Sequence, residues 1–197
     1  MRNRIGTICM VLGTISVLAA LSLFLFNEWE DRQAGASVEE ILPQVMEQIK
    51  GVREGEQDYP DPYDPIMTEV EIDGYSYIGY LTIPALDLNL PVMSQWSYPN
   101  LKVSPCRYSG STKTGDLVIA AHNYTRHFGN ISSLQIGDAV YFNDMDGVVW
   151  CYEVAELNVL NPTSVEEMTS GDYDLTLFTC TYTGKSRVTV RCILAED

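Results

Sequence analysis

Twenty-two consecutive residues without a charge, IGTICMVLGTISVLAALSLFLF from Ile5 to Phe26, set the first constraint on this chain. As a helix rising ~1.5 Å per residue, the run spans roughly 33 Å, enough for a bilayer core of about 30 Å. Arg2 and Arg4 precede it, and Glu28, Glu30 and Asp31 follow it. The positive-inside rule then puts the N-terminus in the cytoplasm and everything after residue 27 outside. Trp29 stands where an interfacial aromatic would. A cleaved signal peptide is the rival reading, because Ala34-Gly35-Ala36 offers small residues of the right kind. Against it, the apolar core of a signal peptide usually runs only ~7–15 residues. A buried soluble helix is the third reading, and so long an uncharged run at the start of the chain disfavours it.

Charge narrows the function classes. The 197 residues carry 27 acids against 12 bases, a net charge of −15. Nucleic-acid binding needs a basic face to meet phosphates, and this balance argues against one. Residues 27–69 hold twelve of the acids against Arg32, Lys50 and Arg53, which marks them off as a separate acidic segment.

Within that segment, SVEEILPQVMEQIK (37–50) has Val38, Ile41, Leu42, Val45, Met46 and Ile49 at helical spacing. Ser37 is a candidate cap and Gly51 a candidate end, while Pro43 costs a hydrogen bond. EGEQDYPDPYDP (54–65) is acidic and broken by three prolines, which reads as a linker or extended arm. The expected organisation is a cytoplasmic tip and anchor over 1–27, an extracellular helical stalk and linker over 28–68, and one domain over 69–197.

From about Glu69 the texture changes to short apolar runs between turn residues. Candidate strands are Tyr77–Ile83, Leu86–Val92, Leu117–Ala121, Ala139–Phe142, Val148–Leu160, Leu175–Cys180 and Arg187–Leu194. Short helices fit near 97–102, 127–134 and 164–169. Even spacing of short strands predicts an all-β sandwich or barrel. Period two assigns faces in the last two strands. Val188, Val190, Cys192 and Leu194 share a core face, so Arg187 and Arg191 point outward. Leu175 and Leu177 share a core face, so Cys180 points to the outer one. A short connection then brings Cys180 and Arg187 together on one outer surface.

Five cysteines and two histidines are the candidate chemical groups. Cys9 lies in the apolar run. Cys106, Cys151, Cys180 and Cys192 leave disulfides open, although Cys151 and Cys192, in strand interiors, read as core thiols. Cys180 differs because its strand ends there, facing outward. His122 ends the apolar strand LVIAAH, and His127, in the loop that follows, is expected to be solvent-exposed. No C-x-x-C pair supports zinc. Glu166, Glu167, Asp172 and Asp174 read as a solvated acidic loop rather than a calcium site. A cysteine, a histidine and an arginine supply a nucleophile, a proton carrier and a cation for an oxyanion, which suits acyl transfer.

These residues carry a resemblance. DLTLFTCTYTGKSRVTVR (174–191) resembles the sortase signature, a T-L-x-T-C strand followed by an arginine that opens the last strand. GDLVIAAHN (115–123) is similar to the family's apolar strand ending in its histidine, and IGYLTIPALDLNLPVM (78–93) to its opening strand pair. The resemblance covers roughly 75–195 and implies an eight-stranded β-barrel. The activity it implies is that of a membrane-anchored cysteine transpeptidase on Gram-positive surfaces. Such an enzyme cuts a C-terminal sorting signal of the L-P-x-T-G kind on a surface protein or pilin. It then joins the new end to an amine of peptidoglycan or of a pilin lysine. By position, Cys180 matches the nucleophile, His122 the proton-managing histidine and Arg187 the conserved arginine.

Thr179 would line the peptide groove, and a backbone N–H near Thr181 would assist Arg187 at the oxyanion. Arg191, roughly 13 Å further along an extended strand, is set aside, and its loss is expected to do little. No metal or organic cofactor is implied. Asp61-Pro62-Tyr63 resembles the Asp-Pro-aromatic lid of pilin-assembling sortases, with a solvated acidic spacer as the alternative. Nothing resembling a second hydrophobic span follows the last strand, and the 160–175 connection is too short for a long helix, so the subclass stays open. Two other functions also stay open, a cysteine peptidase releasing to water and a non-catalytic surface-binding barrel.

Overall fold

A computed structural model describes residues 2–55, 65–169, 173–181 and 183–195. Nine strands are present among them: β1 (Val70–Ile72), β2 (Tyr75–Ile83), β3 (Leu88–Met93), β4 (Cys106–Ser109), β5 (Leu117–Ala120), β6 (Ala139–Asp144), β7 (Val149–Leu160), β8 (Leu175–Cys180) and β9 (Arg187–Leu194). Their order is β1-β2-β3-β4-β5-β8-β9-β7-β6, and β6 pairs back onto β2. Eight strands therefore close into a barrel, with β1 as a short addition on the edge of β2.

Closure depends on one glycine. Gly79 has φ +145, and a Cβ there would lie 2.0 Å from the Asn143 carbonyl oxygen. Only a residue without a side chain lets β2 approach β6 so closely while its register against β3 shifts. Ile78, Leu81, Leu90, Ile119, Phe142 and Leu177 fill the interior. The central parallel pair β5–β8 is buried on both faces, which accounts for the unbroken apolar run LVIAA.

The helical segment is longer than its sequence suggests. One α-helix, α1, runs from Arg2 to Arg53 and contains Pro43. The Ser37 hydroxyl donates to the Gln33 carbonyl at 3.1 Å instead of capping a new helix. Gly51 is interior, and Gly55 (φ +76) takes the left-handed position after the last turn. The first half of α1 is apolar and exposed, with Leu12, Leu23 and Phe24 all more than half open.

The second half lies along the barrel, where a stalk would leave it solvated. Ala34, Val38, Ile41, Val45, Ile49 and Val52 are buried, the one stripe that a 3.6 period predicts. Ile41, Val45 and Ile49 join Tyr77, Met93 and Cys106 in an apolar layer outside the barrel wall. Gly35 lets the loop after β5 sit on the helix, since a Cβ there would meet the Arg126 side chain at 2.1 Å. Arg53 fastens the far end, donating to the Gly147 carbonyl at 2.8 Å and to Asn143 Oδ1 at 2.9 Å.

Candidate active site

The β8–β9 ladder sets Cys180 directly opposite Arg187. On the other side of β8, the parallel register pairs Ala120 with Phe178, and the Ala121 N–H donates to the Phe178 carbonyl. Continuing that register by two residues brings His122 level with Cys180. Three strand ends thus carry the three residues to one edge of the barrel. Thr179, only 3% exposed, fixes the arrangement, because its hydroxyl donates to the Ala121 carbonyl at 2.9 Å. That bond ties the last turn of β8 to the chain just before His122.

All three residues line a groove of about 210 Å³. Its floor is the outer apolar layer, with Leu101, Met168 and Phe178. An aromatic chain builds one wall: Trp96 lies 5.8 Å from Tyr108, and Tyr108 lies 5.3 Å from Phe178, both edge to face. The opposite wall is Val165 of a short helix, α2 (Val165–Thr169), whose Met168 reaches the floor. The aromatic wall escaped the sequence reading, although QWSYPN carries two exposed aromatics beside a turn proline.

Burial lowers the His122 pKa from its ordinary value, and nearby Lys102 adds to this, while Glu30 on α1 opposes it. Lys102 and Glu30 pair at 2.9 Å, which joins the groove's edge to α1. The Arg187 Nη1 donates to the carbonyls of Gly184 (3.3 Å) and Ser186 (3.2 Å) within its own turn. The turn commits the Thr181 N–H as well, which donates to Ser186 O at 2.9 Å. At this edge Arg187 and the Thr181 N–H, among the described residues, thus both hold carbonyls of the same turn.

Several expectations need correction. Arg191 is 4% exposed, not outward in solvent. Glu167 and Tyr173, between β7 and β8, cover it: Nη2 donates to the Glu167 carbonyl at 2.6 Å, and the guanidinium lies 5.0 Å above the Tyr173 ring. Period two separated the faces correctly but carried no information about what covers them. At the strand's far end, Leu194 is exposed instead of buried. His127 is fully buried, because the loop coils back through bonds to the Tyr124 carbonyl. Its ring lies 5.6 Å from Tyr124, which in turn lies 4.9 Å from His122.

The described cysteines are all free. Cys151 is exposed on β7 instead of lying in the core, while burial pushes the Cys106 and Cys192 thiols up to about 12. Asp174 accepts from the Leu194 N–H at 2.7 Å, and Asp172 lies outside the described residues. Asp61 and Tyr63, the candidate lid or spacer residues, also lie outside them.

A profile of the sortase domain matches residues 81–195, which is more than half of the chain. The chain belongs to the sortase family. Sortase A of Bacillus anthracis is 27% identical over 129 residues, a match covering 62% of this chain and 60% of that protein. The chain thus spans less than two thirds of the length of that relative. The crystal structure of sortase C1 from Streptococcus suis is 28% identical with a TM-score of 0.54, covering 61% of this chain and 74% of that one. Sortase C of Clostridium perfringens, solved with its C-terminal cell wall sorting motif, has a TM-score of 0.55 at 20% identity and covers 90% and 100%. The last likeness speaks for the fold alone.

Proposed function

We propose that this sortase is a membrane-anchored cysteine transpeptidase whose nucleophile is Cys180. Its substrates would be surface proteins or pilins bearing a C-terminal sorting signal, and its acceptor an amine of cell wall or pilin. The observation that carries this is the meeting of Cys180, Arg187 and His122 at one barrel edge, in an apolar groove of about 210 Å³. The Clostridium relative was solved with a sorting motif, which agrees with such a groove. Domain 69–197 acts with α1 docked on it, residues 5–26 cross the bilayer, and the barrel lies outside the cell.

The chemistry follows from the site. His122, held toward its neutral form by burial, takes the Cys180 proton as sulfur attacks the scissile carbonyl. Arg187 is always charged, and it leaves its carbonyl partners to donate to the oxyanion. His122 returns the proton to the leaving amine, and a thioester remains on Cys180. An incoming amine then attacks that thioester, losing its proton to His122. Thr179 positions His122 by holding the end of β5 against β8.

The test incubates the detergent-solubilised chain with an L-P-x-T-G peptide, with and without a primary amine. Transpeptidation predicts a new amide product only with the amine. Products that ignore the amine would make the protein a peptidase, and an unconsumed peptide would leave only a binding barrel.

A further inference from the structure

Cys180 lies between two cavities. The first is the aromatic groove with His122 and Arg187. The second, about 290 Å³, is built mainly by the loop after β5, with Asn123, Thr125, Gly129, Asn130 and Ser132 in its wall. Thr179 and Cys180 line both cavities, and no other described residue does. A peptide whose scissile carbonyl rests on Cys180 therefore has its acyl side in one cavity and its amine side in the other.

The walls decide which is which. The groove is aromatic and aliphatic, suited to apolar side chains of the acyl donor. The second cavity has mostly polar and small walls, with Phe128, Ile131 and Val188 as its large apolar members, and none of its described lining residues is charged. Its volume matches about ten waters, room for a short amine-bearing segment but not for a folded one. Neutrality fits the chemistry, because the nucleophile is the free amine. A carboxylate in the wall would hold the amine as ammonium. A third cavity, about 390 Å³, has Glu28, Glu30 and Asp31 in its wall, but it reaches His122 and not Cys180.

We propose that the cavity between Cys180 and the loop 123–132 is the acceptor site, taking an unhindered primary amine on a short polar segment. The proposal rests on the transpeptidase reading above and adds the location and chemical class of the second substrate. The leaving amine departs through this cavity, and by reversibility the acceptor occupies the same place. There the amine nitrogen bonds to the thioester carbon as the carbon–sulfur bond breaks. Cys180 leaves as thiolate and the amine proton passes to His122, whose chain neighbour Asn123 lines the cavity.

The experiment uses the full chain in detergent and an L-P-x-T peptide methyl ester, whose small leaving group makes no demand on the second cavity. Triglycine and Nα-acetyl-lysine are the two acceptors, separating a glycine-type amine from a lysine-type one. Ser132→Trp and Asn130→Trp, at two exposed positions, each fill the cavity without touching the core. Thermal melting verifies that the variants fold. In both, the KM for the productive amine is expected to rise about tenfold or more, with the shift on the amine and not on the ester. An unchanged amine KM, or a rise in the ester KM in its place, overturns the assignment. Failure of the unmodified chain to form any thioester from the ester would instead overturn the transpeptidase reading.

Discussion

His127 gives this barrel an acid weakness of predictable size. Its ring is completely buried, neither nitrogen has a hydrogen-bond partner, and burial, with His122 nearby, lowers its pKa from 6.5 to about 4. Because the folded value is depressed, the unfolded chain takes up the proton first as pH falls. Stability is therefore full above about pH 6.5 and drains progressively down to about pH 4. At about 1.4 kcal/mol per unit, the loss between pH 7 and pH 4.5 is about 2 kcal/mol. For a chain of this length that is roughly 4–8 °C in melting temperature. Phenylalanine preserves the ring and forfeits no hydrogen bond, so His127→Phe should remove this component. Denaturant unfolding of both proteins by circular dichroism at the two pH values measures it. Carboxylates contribute alike to each, and the difference isolates His127. Parallel pH dependences in the two proteins would refute the buried, neutral imidazole.

Other substitutions test the remaining architecture. Ile49→Ala, at a position 1% exposed where α1 meets the barrel, should cost about 2–4 kcal/mol, against less than about 0.5 for exposed Met46→Ala; equal melting curves would return residues 37–50 to the status of a free stalk. Arg187→Ala should slow thioester formation by about 10²–10³-fold, as expected for an oxyanion donor. Arg191→Met should instead raise the peptide KM and cost about 1–2 kcal/mol of stability by releasing the Glu167 carbonyl and with it the α2 wall. Measuring both constants for both variants separates the roles, and a larger rate loss from Arg191→Met would reverse them.

What the sequence disclosed depended on how local the determinant was. Leu175–Cys180 and Arg187–Leu194 carry their apolar residues at alternate positions, so their bounds, the core face up to Cys192 and the approach of Cys180 to Arg187 followed from period two, while Leu194 did not. β4 was missed because SPCRYSG reads as a turn, and its strand character comes from pairing with β5. The break expected before Ser37 did not occur, since weak local signals around Ala34–Ala36 yielded to docking on the barrel. Cys151 was misplaced because it alternates with buried Tyr152 and Val154 on β7 and so takes the exposed face; Arg191 and His127 were misplaced for a different, shared reason. Whether an outer face is wet depends on distant residues folding across it, here Glu167 and Tyr173 over Arg191 and the coiled loop around His127. The second cavity at Cys180 had no sequence signal at all, because its wall is shaped by backbone turns and not by a motif.

The central claim is that Cys180 carries the acyl group. Intact-mass measurement of the solubilised chain, quenched with acid during turnover of an L-P-x-T-G peptide, tests it most directly. The account predicts an adduct with the mass of the acyl fragment, mapped to Cys180, absent in Cys180→Ala and discharged when an amine is added. An unmodified Cys180 while peptide is being consumed, or an adduct that persists in Cys180→Ala, would contradict it.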